Sequence, residues 1–242
     1  MSFTPLYDED SYCRGCKAHV VACNGNSLIL DRTVFYPLGG GQLGDTGTML
    51  VGGTRYRIRD TVWTEDNQVS HILDAPLLSE IQCSIVGRSV EVILDWERRY
   101  RIMRFHTALH VLHKVVPFRC TGAKVGPDKA HLDFDTVGQH LDVAVVDDLN
   151  SILREGHPVS TRSVLEDEVE KTPSLAQTIR LAPPVRNGLM RFVQIGSDDN
   201  IVDLQPCGGT HVRNTSEIGR IVVLKNKSRG IQNRRLTVGF CT

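Results

Sequence analysis

Four histidine and cysteine residues stand at spacings that suit a metal site. The segment "HTALHVLH" places His106 and His110 at positions i and i+4, one above the other on one face of a helix. Far along the chain, "PCGGTH" holds a cysteine and a histidine around a two-glycine spacer that lets the backbone bend. Three imidazoles and one thiolate suit Zn²⁺ better than Mg²⁺ or Ca²⁺. The sequence therefore predicts one zinc ion per chain, bound by His106, His110, Cys207 and His211.

Two enzyme classes with related motifs are excluded. A metalloprotease of the HExxH type needs glutamate directly after the first histidine, where this chain has Thr107. A zinc nucleobase deaminase needs H-x-E and P-C-x-x-C, but Thr210 occupies the position of the second cysteine and no H-x-E is present. His113 lies at i+7 from His106 and is an alternative ligand, although its position is more typical of a packing residue.

The stretch "FYPLGGGQLGDTG" contains a formal G-x-G-x-x-G pattern. A dinucleotide site needs a strand before this pattern and a helix after it, whereas here Pro37 precedes it and another turn follows. No dinucleotide is therefore expected. Two interpretations stay open, a glycine turn and a loop whose amides face a phosphate or a ribose. The residues of this glycine motif are Gly39, Gly40, Gly41, Gln42, Gly44 and Asp45.

The elements that position these residues follow from apolar periodicity. Residues 17–94 alternate as β-strands, with hairpin chemistry at Asn24-Gly25-Asn26. A helix is expected from an N-cap at Asp95 to a stop at Pro117, with apolar residues at 102, 105, 109, 112 and 116. A second helix is expected over 141–156, with these residues inward: Val143, Val146, Leu149 and Leu153.

The remainder of the chain predicts a mixed unit. Strands are expected near 158–165, 189–195, 218–224 and 235–240, and "LEDEVEK" is expected to be helical. The fold class is therefore α+β, with a β-rich, barrel-like glycine-motif domain over 1–94 and an α+β zinc-binding domain, helices on an antiparallel sheet, over 95–242.

Composition sets limits on partners and location. The chain has 242 residues, 40% of them hydrophobic, and a formal net charge of zero, so a nucleic acid must be bound by local patches. A solvated basic face is an equally open interpretation of these patches. Two segments supply them: Arg98, Arg99, Arg101 and Arg104 in the first, and Lys225, Lys227, Arg229, Arg234 and Arg235 in the second.

No signal peptide or membrane-spanning segment is expected. The seven cysteines are odd in number and widely spread, which favours reduced thiols and a cytoplasmic location.

Four segments together resemble a known family: "FYPLGGGQLGDTG", "HTALHVLH", "GAKVGPDKAHLDF" and "PCGGTHVRNTSEIG". They are similar to the editing region of alanyl-tRNA synthetase, and more so to the freestanding alanyl-tRNA editing proteins of the AlaX family, medium type. The resemblance spans nearly the whole chain. It implies hydrolysis of the ester that joins serine, or glycine, to tRNA(Ala), with the four predicted ligands in the zinc-binding positions.

The resemblance also implies further roles for particular residues. The glycine motif is expected near the editing pocket, where it would help substrate choice. Cys120 and Thr121 precede "GAKV", where the family often has the residue that reads the serine hydroxyl, and Thr107 is a second candidate. The catalytic group is left open, either a zinc-bound or a zinc-oriented water.

Two alternatives to this deacylase remain: a tRNA-binding module with structural zinc, and an editing deacylase of the threonyl type.

Overall fold

The computed structural model describes residues 3–171, 185–186 and 188–241. It separates into two compact units whose division falls between Ile102 and Met103, inside a long helix. The domain boundary expected near residue 95 stays a prediction. The fold class is confirmed, with a β-rich barrel in the N-terminal unit and mixed α and β structure in the C-terminal unit.

The N-terminal unit is built on a closed six-stranded antiparallel barrel. Its strand order is β2-β3-β7-β6-β5-β8. Exposed and buried residues alternate regularly along β8. This alternation directs apolar side chains to the barrel interior. The barrel strands are β2 Gly15–Asn24, β3 Ser27–Leu30, β5 Gly47–Val51, β6 Thr54–Trp63, β7 Val69–Leu73 and β8 Ser89–Leu94.

Short elements flank the barrel. Strand β1 (Thr4–Pro5) pairs in parallel with β4 (Arg32–Thr33), and helix α1 covers Leu6–Glu9. The expected hairpin at Asn24-Gly25-Asn26 is confirmed, and Gly25 has the positive φ of 60° that this turn requires. Helix α2 (Ser79–Ile85) was not expected, because the sequence favoured strands throughout 17–94 and seven residues are too few to show a helical apolar period.

The glycine motif forms a closed turn at the barrel. The amides and carbonyls of Gly39 and Gln42 bond to each other, at 2.9 and 3.1 Å, around Gly40 and Gly41, both of which have positive φ. A Cβ atom on Gly44 would lie 2.1 Å from the carbonyl oxygen of Thr61, so only glycine fits there. Three amides of the motif, those of Gly39, Gln42 and Asp45, donate hydrogen bonds within the protein.

A buried ion pair ties this motif to the start of the long helix. Asp45 is 1% exposed and Arg99 is completely buried. The guanidinium contacts both carboxylate oxygens of Asp45 and also donates to the carbonyls of Val34, at 2.7 Å, and Ser11, at 3.1 Å. Asp45 also accepts the amide of Tyr36 at 2.6 Å. Arg99, one of the arginines of the first predicted basic patch, therefore lies in the core instead.

His71 is a second buried polar group of the barrel. Its Nε2 atom is 2.7 Å from the hydroxyl of Thr33, and its Nδ1 atom is 3.2 Å from the carbonyl oxygen of Leu28. Burial lowers the pKa of His71 to about 4, although the hydrogen bond to Leu28 opposes this shift. The ring is therefore neutral in the folded protein at neutral pH.

This burial predicts a pH-dependent stability. Because the ordinary pKa of histidine is 6.5, the unfolded chain takes up a proton before the folded one as the pH falls. Through His71, the free energy of unfolding should fall by up to about 3 kcal/mol as the pH drops from the unfolded to the folded pKa. Urea unfolding followed by fluorescence of Trp63 and Trp96, both in this unit, measures the change. A His71→Gln variant should show a smaller pH dependence, and an equal one would contradict the prediction.

Helix α3 (Trp96–Val115) carries the predicted HxxxH motif and confirms the expected helix. The five apolar positions expected along it are all buried: Ile102, Phe105, Leu109, Leu112 and Val116. Pro117 lies two residues after the end of the helix and cannot continue it. Although α3 is long, no helix in the described ranges is long and apolar enough to cross a bilayer.

The described residues of the C-terminal unit form two antiparallel sheets. One has the order β15-β16-β10-β9, and in the other β13 pairs with β11, β12 and β14. The elements are β9 Arg119–Val125, β10 Ala130–Asp135, α4 Val145–Arg154, β11 Val159–Leu165, α5 Glu166–Lys171, β12 Val185–Arg186, β13 Leu189–Ser197, β14 Asn200–Pro206, a 3-10 turn Thr215–Glu217, β15 Ile221–Ser228 and β16 Asn233–Phe240.

Several expectations for this unit were incomplete. Strands β9, β10, β12 and β14 were not predicted, whereas β11, α5, β13, β15 and β16 match the expected elements. Helix α4 begins at Val145, so Val143 precedes it and is 44% exposed, contrary to its expected inward position. Leu149 and Leu153 are buried as expected, beside a polar residue, Asn150, whose amide group bonds to the backbone of Ile221. The seven cysteines carry free thiols.

Candidate metal centre

The two histidines of α3 lie one helical turn apart and are both 6% exposed. Their ring centroids are 5.4 Å apart, and each ring lies within 4.6 Å of the ring of His211. The helix therefore presents two imidazoles to the loop that follows β14, as the i, i+4 spacing predicted.

The loop after β14 supplies the remaining pair. Its backbone is fixed by Arg191 on β13, whose guanidinium donates to the carbonyls of Cys207, at 2.7 Å, and Gly209, at 2.9 Å. The amide of Cys207 donates in turn to the carbonyl of Arg191. The amide of Gly209 points at the Cys207 sulfur, 3.4 Å away. These bonds hold the short loop in the conformation that brings Cys207 and His211 together.

The four side chains converge on one point. Their ligand atoms all lie within 4.8 Å of one another. The Cys207 Sγ atom is 3.5 Å from His106 Nε2 and 3.4 Å from His211 Nε2. Zinc bonds of about 2.0 to 2.3 Å at tetrahedral angles would separate neighbouring ligand atoms by about 3.3 to 3.6 Å. The donor set and these spacings therefore fit a zinc ion held by His106, His110, Cys207 and His211.

Burial and neighbouring charged groups shift the pKa values of two of the four clustered side chains. Burial alone would raise the pKa of the Cys207 thiol, but His106 and His211 outweigh it and hold that pKa well below its ordinary value. Burial, reinforced by His106, lowers the pKa of His211 well below its ordinary range. Thiolate and neutral imidazole are the forms that bind a metal.

Thr107 lies behind one of the ligands. Its hydroxyl oxygen is 3.0 Å from Nδ1 of His211 and accepts the amide of Val212 at 3.3 Å. An imidazole that donates from Nδ1 presents Nε2 to a metal. Thr107 is fully buried, and its contact with His211 can therefore fix the orientation of that ring.

Asp203 supports another ligand and was not recognised in the sequence. Its Oδ2 atom is 3.0 Å from Nδ1 of His110 and accepts a hydrogen bond from the side-chain amide of Gln205 at 2.8 Å. Burial lowers the pKa of His110, but the bond to Asp203 and the contact with Cys207 raise it overall. Strand alternation was the available signal, since it places residues 203, 205 and 207 on the same face.

Replacing this carboxylate should weaken metal binding. We expect Asp203→Asn to lower the zinc affinity by about 10- to 100-fold, because an outer carboxylate orients a ligating histidine and raises its basicity. Competition with a chromophoric chelator measures the affinity. Asp199→Asn, at an exposed aspartate on the β13–β14 turn, is the control. Equal affinity in the two variants would show that Asp203 has no such role.

The other sequence-predicted residues lie elsewhere in the two units. Cys120 and Thr121 are on β9, where the Cys120 thiol donates to the carbonyl of Gly122, and the Thr121 hydroxyl donates to that of Asp133. Half-buried His113 is not one of the four clustered ligands. In the N-terminal unit, Arg98 donates to the carbonyl of Gly44.

The predicted cationic residues differ in exposure. Arg98, Arg101 and Arg234 are half-buried, whereas three residues at the end of β15 and just after it are exposed: Lys225, Lys227 and Arg229. Arg104 donates to the carbonyl of Ile218 and lies over the ring of Phe240, which gives it a packing role.

Two family models match the chain. The model described as the threonyl and alanyl tRNA synthetase second additional domain matches residues 190–237, which include Cys207 and His211. The model described as tRNA synthetases class II (A) matches residues 13–98, which include the glycine motif. The chain is thus similar in both parts to proteins of tRNA aminoacylation.

Relatives that match nearly the whole chain identify the family more closely than the two family models do. The chain is 30% identical over 236 residues to the alanyl-tRNA editing protein AlaX-M of Saccharolobus solfataricus, with 96% of each chain covered. It is 32% identical over 246 residues to AlaX-M of Methanosarcina acetivorans, again with 96% of each covered. It is 35% identical over 230 residues to the alanine–tRNA ligase of Sulfurisphaera tokodaii, covering 90% of this chain and 24% of the ligase. The chain therefore belongs to the AlaX-M family of alanyl-tRNA editing proteins, as its sequence motifs indicated.

Proposed function

We propose that the protein is a trans-editing deacylase that hydrolyses the ester of serine, or of glycine, wrongly attached to tRNA(Ala). The observation that carries this proposal is the convergence of three imidazoles and one thiolate on a single point, in a chain of the alanyl-tRNA editing family. Water adds to the ester carbonyl, the bond to the terminal ribose oxygen breaks, and the products are the free amino acid and tRNA(Ala). The reaction would take place in the cytoplasm.

The proposed cofactor is one zinc ion, held by His106, His110, Cys207 and His211. Bound zinc supplies a Lewis acid that polarises an ester carbonyl or activates water. The protein holds the ligands in place: Thr107 orients His211, Asp203 orients His110, and Arg191 fixes the loop of Cys207. The three histidines are nearly inaccessible to solvent, which strengthens electrostatic effects on a bound ester.

Substrate choice would depend on groups that pair with the serine hydroxyl. A site that hydrogen-bonds this hydroxyl disfavours alanine, because alanine leaves its polar groups unpaired. We propose Cys120 and Thr121 for this pairing. Thr107, whose hydroxyl contacts His211, would affect substrate choice through the orientation of that ring. The glycine motif would contribute to the same choice.

The acceptor end of the tRNA would be bound by local cationic patches. Phosphate contacts are largely electrostatic and do not depend on base sequence. The proposed residues are Arg98, Arg101, Lys225, Lys227, Arg229 and Arg234.

A tRNA-binding module with a structural zinc ion is the second candidate. Four protein ligands are typical of a structural zinc site, whereas catalytic sites usually keep an open position. This observation favours the second candidate as far as ligand number alone is concerned. Such a protein would bind tRNA(Ala) and leave its ester intact.

Parallel deacylation assays separate the candidates. The purified zinc-loaded protein is incubated with Ser-tRNA(Ala), Gly-tRNA(Ala) and Ser-tRNA(Thr), and the remaining ester is quantified. We expect rapid loss of Ser-tRNA(Ala). Preferential loss of Ser-tRNA(Thr) would favour the threonyl-type deacylase, and binding without hydrolysis would favour the binding module.

A further inference from the structure

The sheet of the C-terminal unit with the strand order β15-β16-β10-β9 has two chemically different faces. One face is apolar and buried, and it includes Ala130, Leu132 and Phe134 of β10 with Leu236 and Val238 of β16. The alternate residues of the same strands are directed to the opposite face. On that face the strands carry polar and charged side chains, most of them in contact with solvent.

Strand register arranges the residues of this second face in rows across the sheet. His131 lies opposite Thr237 on one side and Lys124 on the other, and Thr237 lies opposite Lys225. A register shift beside Leu224 brings Lys225 into this row. One row therefore crosses all four strands, with a lysine at each end. Three strand spacings separate these lysines by about 14 Å, so they can contact different phosphates.

A second row begins with Lys227, which lies opposite Arg235, itself opposite Asp133. The Arg235 guanidinium donates two hydrogen bonds of 2.6 Å to the Asp133 carboxylate. This pairing compensates the negative charge of Asp133. Asp135, farther along β10, lies opposite Arg119.

The two rows therefore leave an excess of positive charge. Both carboxylates of β10 on this face have an arginine as cross-strand partner. The three lysines have His131, Thr237 and Arg235 as partners, none of which is acidic. All three lysines are exposed, and so is Arg229, which follows β15. We define the basic face by Lys124, His131, Lys225, Lys227, Arg229 and Arg235.

The pKa of His131 reflects the positive electrostatic potential at the centre of this face. Burial lowers the pKa of His131, and the positive charges of Arg235, Lys124 and Arg229 lower it further against the opposing effect of Asp133. The cations therefore act on a common point, although they come from two different strands and a loop. This agreement between register and electrostatics distinguishes the basic face from scattered surface lysines.

We infer that the basic face binds the phosphate backbone of tRNA, through lysines of β9 and β15, the arginine of β16 and Arg229. The partner follows from charge complementarity, since a solvent-exposed, multi-strand array of lysines suits a polyanion with regularly spaced charges. The inference rests on the proposed function for the identity of the RNA. It adds Lys124 of β9 and His131 of β10, which lie outside both basic segments of the sequence. Half-buried Arg234 is not part of the basic face, because alternation places it on the face opposite to Arg235.

The test uses direct binding of uncharged tRNA(Ala), which does not require hydrolysis. The test variant combines Lys124→Ala, Lys225→Ala and Lys227→Ala. The control removes three exposed cations from other elements, Lys17→Ala, Arg162→Ala and Lys171→Ala. Fluorescence anisotropy at a series of salt concentrations gives the affinity and its salt dependence. We expect the test variant to bind at least about 10-fold more weakly and to lose about two to three units of salt slope, one per phosphate contact removed.

A kinetic comparison locates the effect. The seryl ester is presented on whole tRNA(Ala) and on a CCA trinucleotide, and the ratio of the two kcat/KM values should fall at least about 10-fold in the test variant. An unchanged affinity, salt slope and ratio would overturn the inference, as would an equal loss in the control. If the wild-type protein binds tRNA through this face but hydrolyses neither ester, the proposed function fails while the inference stands.

Discussion

A protein carrying both His106→Ala and Cys207→Ala should bind no stoichiometric zinc and should hydrolyse Ser-tRNA(Ala) at least about 1,000-fold more slowly than the wild type. The two substitutions remove one ligand from α3 and one from the loop after β14, whose atoms lie 3.5 Å apart. Two remaining imidazoles make a weak site, and loss of a Lewis acid costs several kcal/mol of transition-state stabilisation. Metal content by atomic emission and single-turnover deacylation measure the two effects.

The matched control is His113→Ala on the same helix, since His113 is not among the clustered ligands. It should keep its zinc. Far-UV circular dichroism shows whether the double variant is folded. Stoichiometric zinc in a folded double variant would show that the ligand set is wrong.

Asp45→Asn should destabilise the N-terminal unit by about 3 to 5 kcal/mol, because it leaves the buried Arg99 guanidinium without its carboxylate partner. The side chains are 1% and 0% exposed, so water cannot replace the lost interaction. Asp45 also accepts a hydrogen bond from the Tyr36 amide, so the substitution weakens the segment that leads into the glycine motif as well. Urea unfolding, followed by fluorescence of Trp63 and Trp96, measures the loss.

Asp66→Asn is the control for this substitution, since Asp66 is exposed in the turn between β6 and β7. It should change the stability by no more than about 0.5 kcal/mol. A similarly small effect of Asp45→Asn would contradict the assigned role of the buried ion pair. The glycine motif would then owe its conformation to its backbone alone.

Local spacing made the clustering of the four candidate ligands predictable. The i, i+4 pair on α3 and the Cys–His pair around two glycines each imply one half of a site, and the structure brings the halves together. Helix α3 was equally predictable, because its five apolar positions follow a single period and Pro117 marks its end. In these segments the local and the tertiary preferences agree.

Residues that act through tertiary contacts were not predictable in the same way. Asp203 and Arg191 support the metal centre from strands β14 and β13, and nothing in a local window links them to His110 or the Cys207 loop. Arg99 is one of four closely spaced arginines in the sequence, but its pairing with Asp45 places it in the core. Strand β9 was missed because only its last residue, Val125, is buried, so no apolar period marks the strand.

The most direct test of the proposed activity compares Ser-tRNA(Ala) with correctly charged Ala-tRNA(Ala), before and after removal of zinc with a chelator and after its return. The zinc-loaded protein should hydrolyse the serine ester and spare the alanine ester. The activity should disappear with the metal and recover when zinc is restored. Serine hydrolysis that persists in folded, zinc-free protein would contradict the assignment of the catalytic centre to His106, His110, Cys207 and His211.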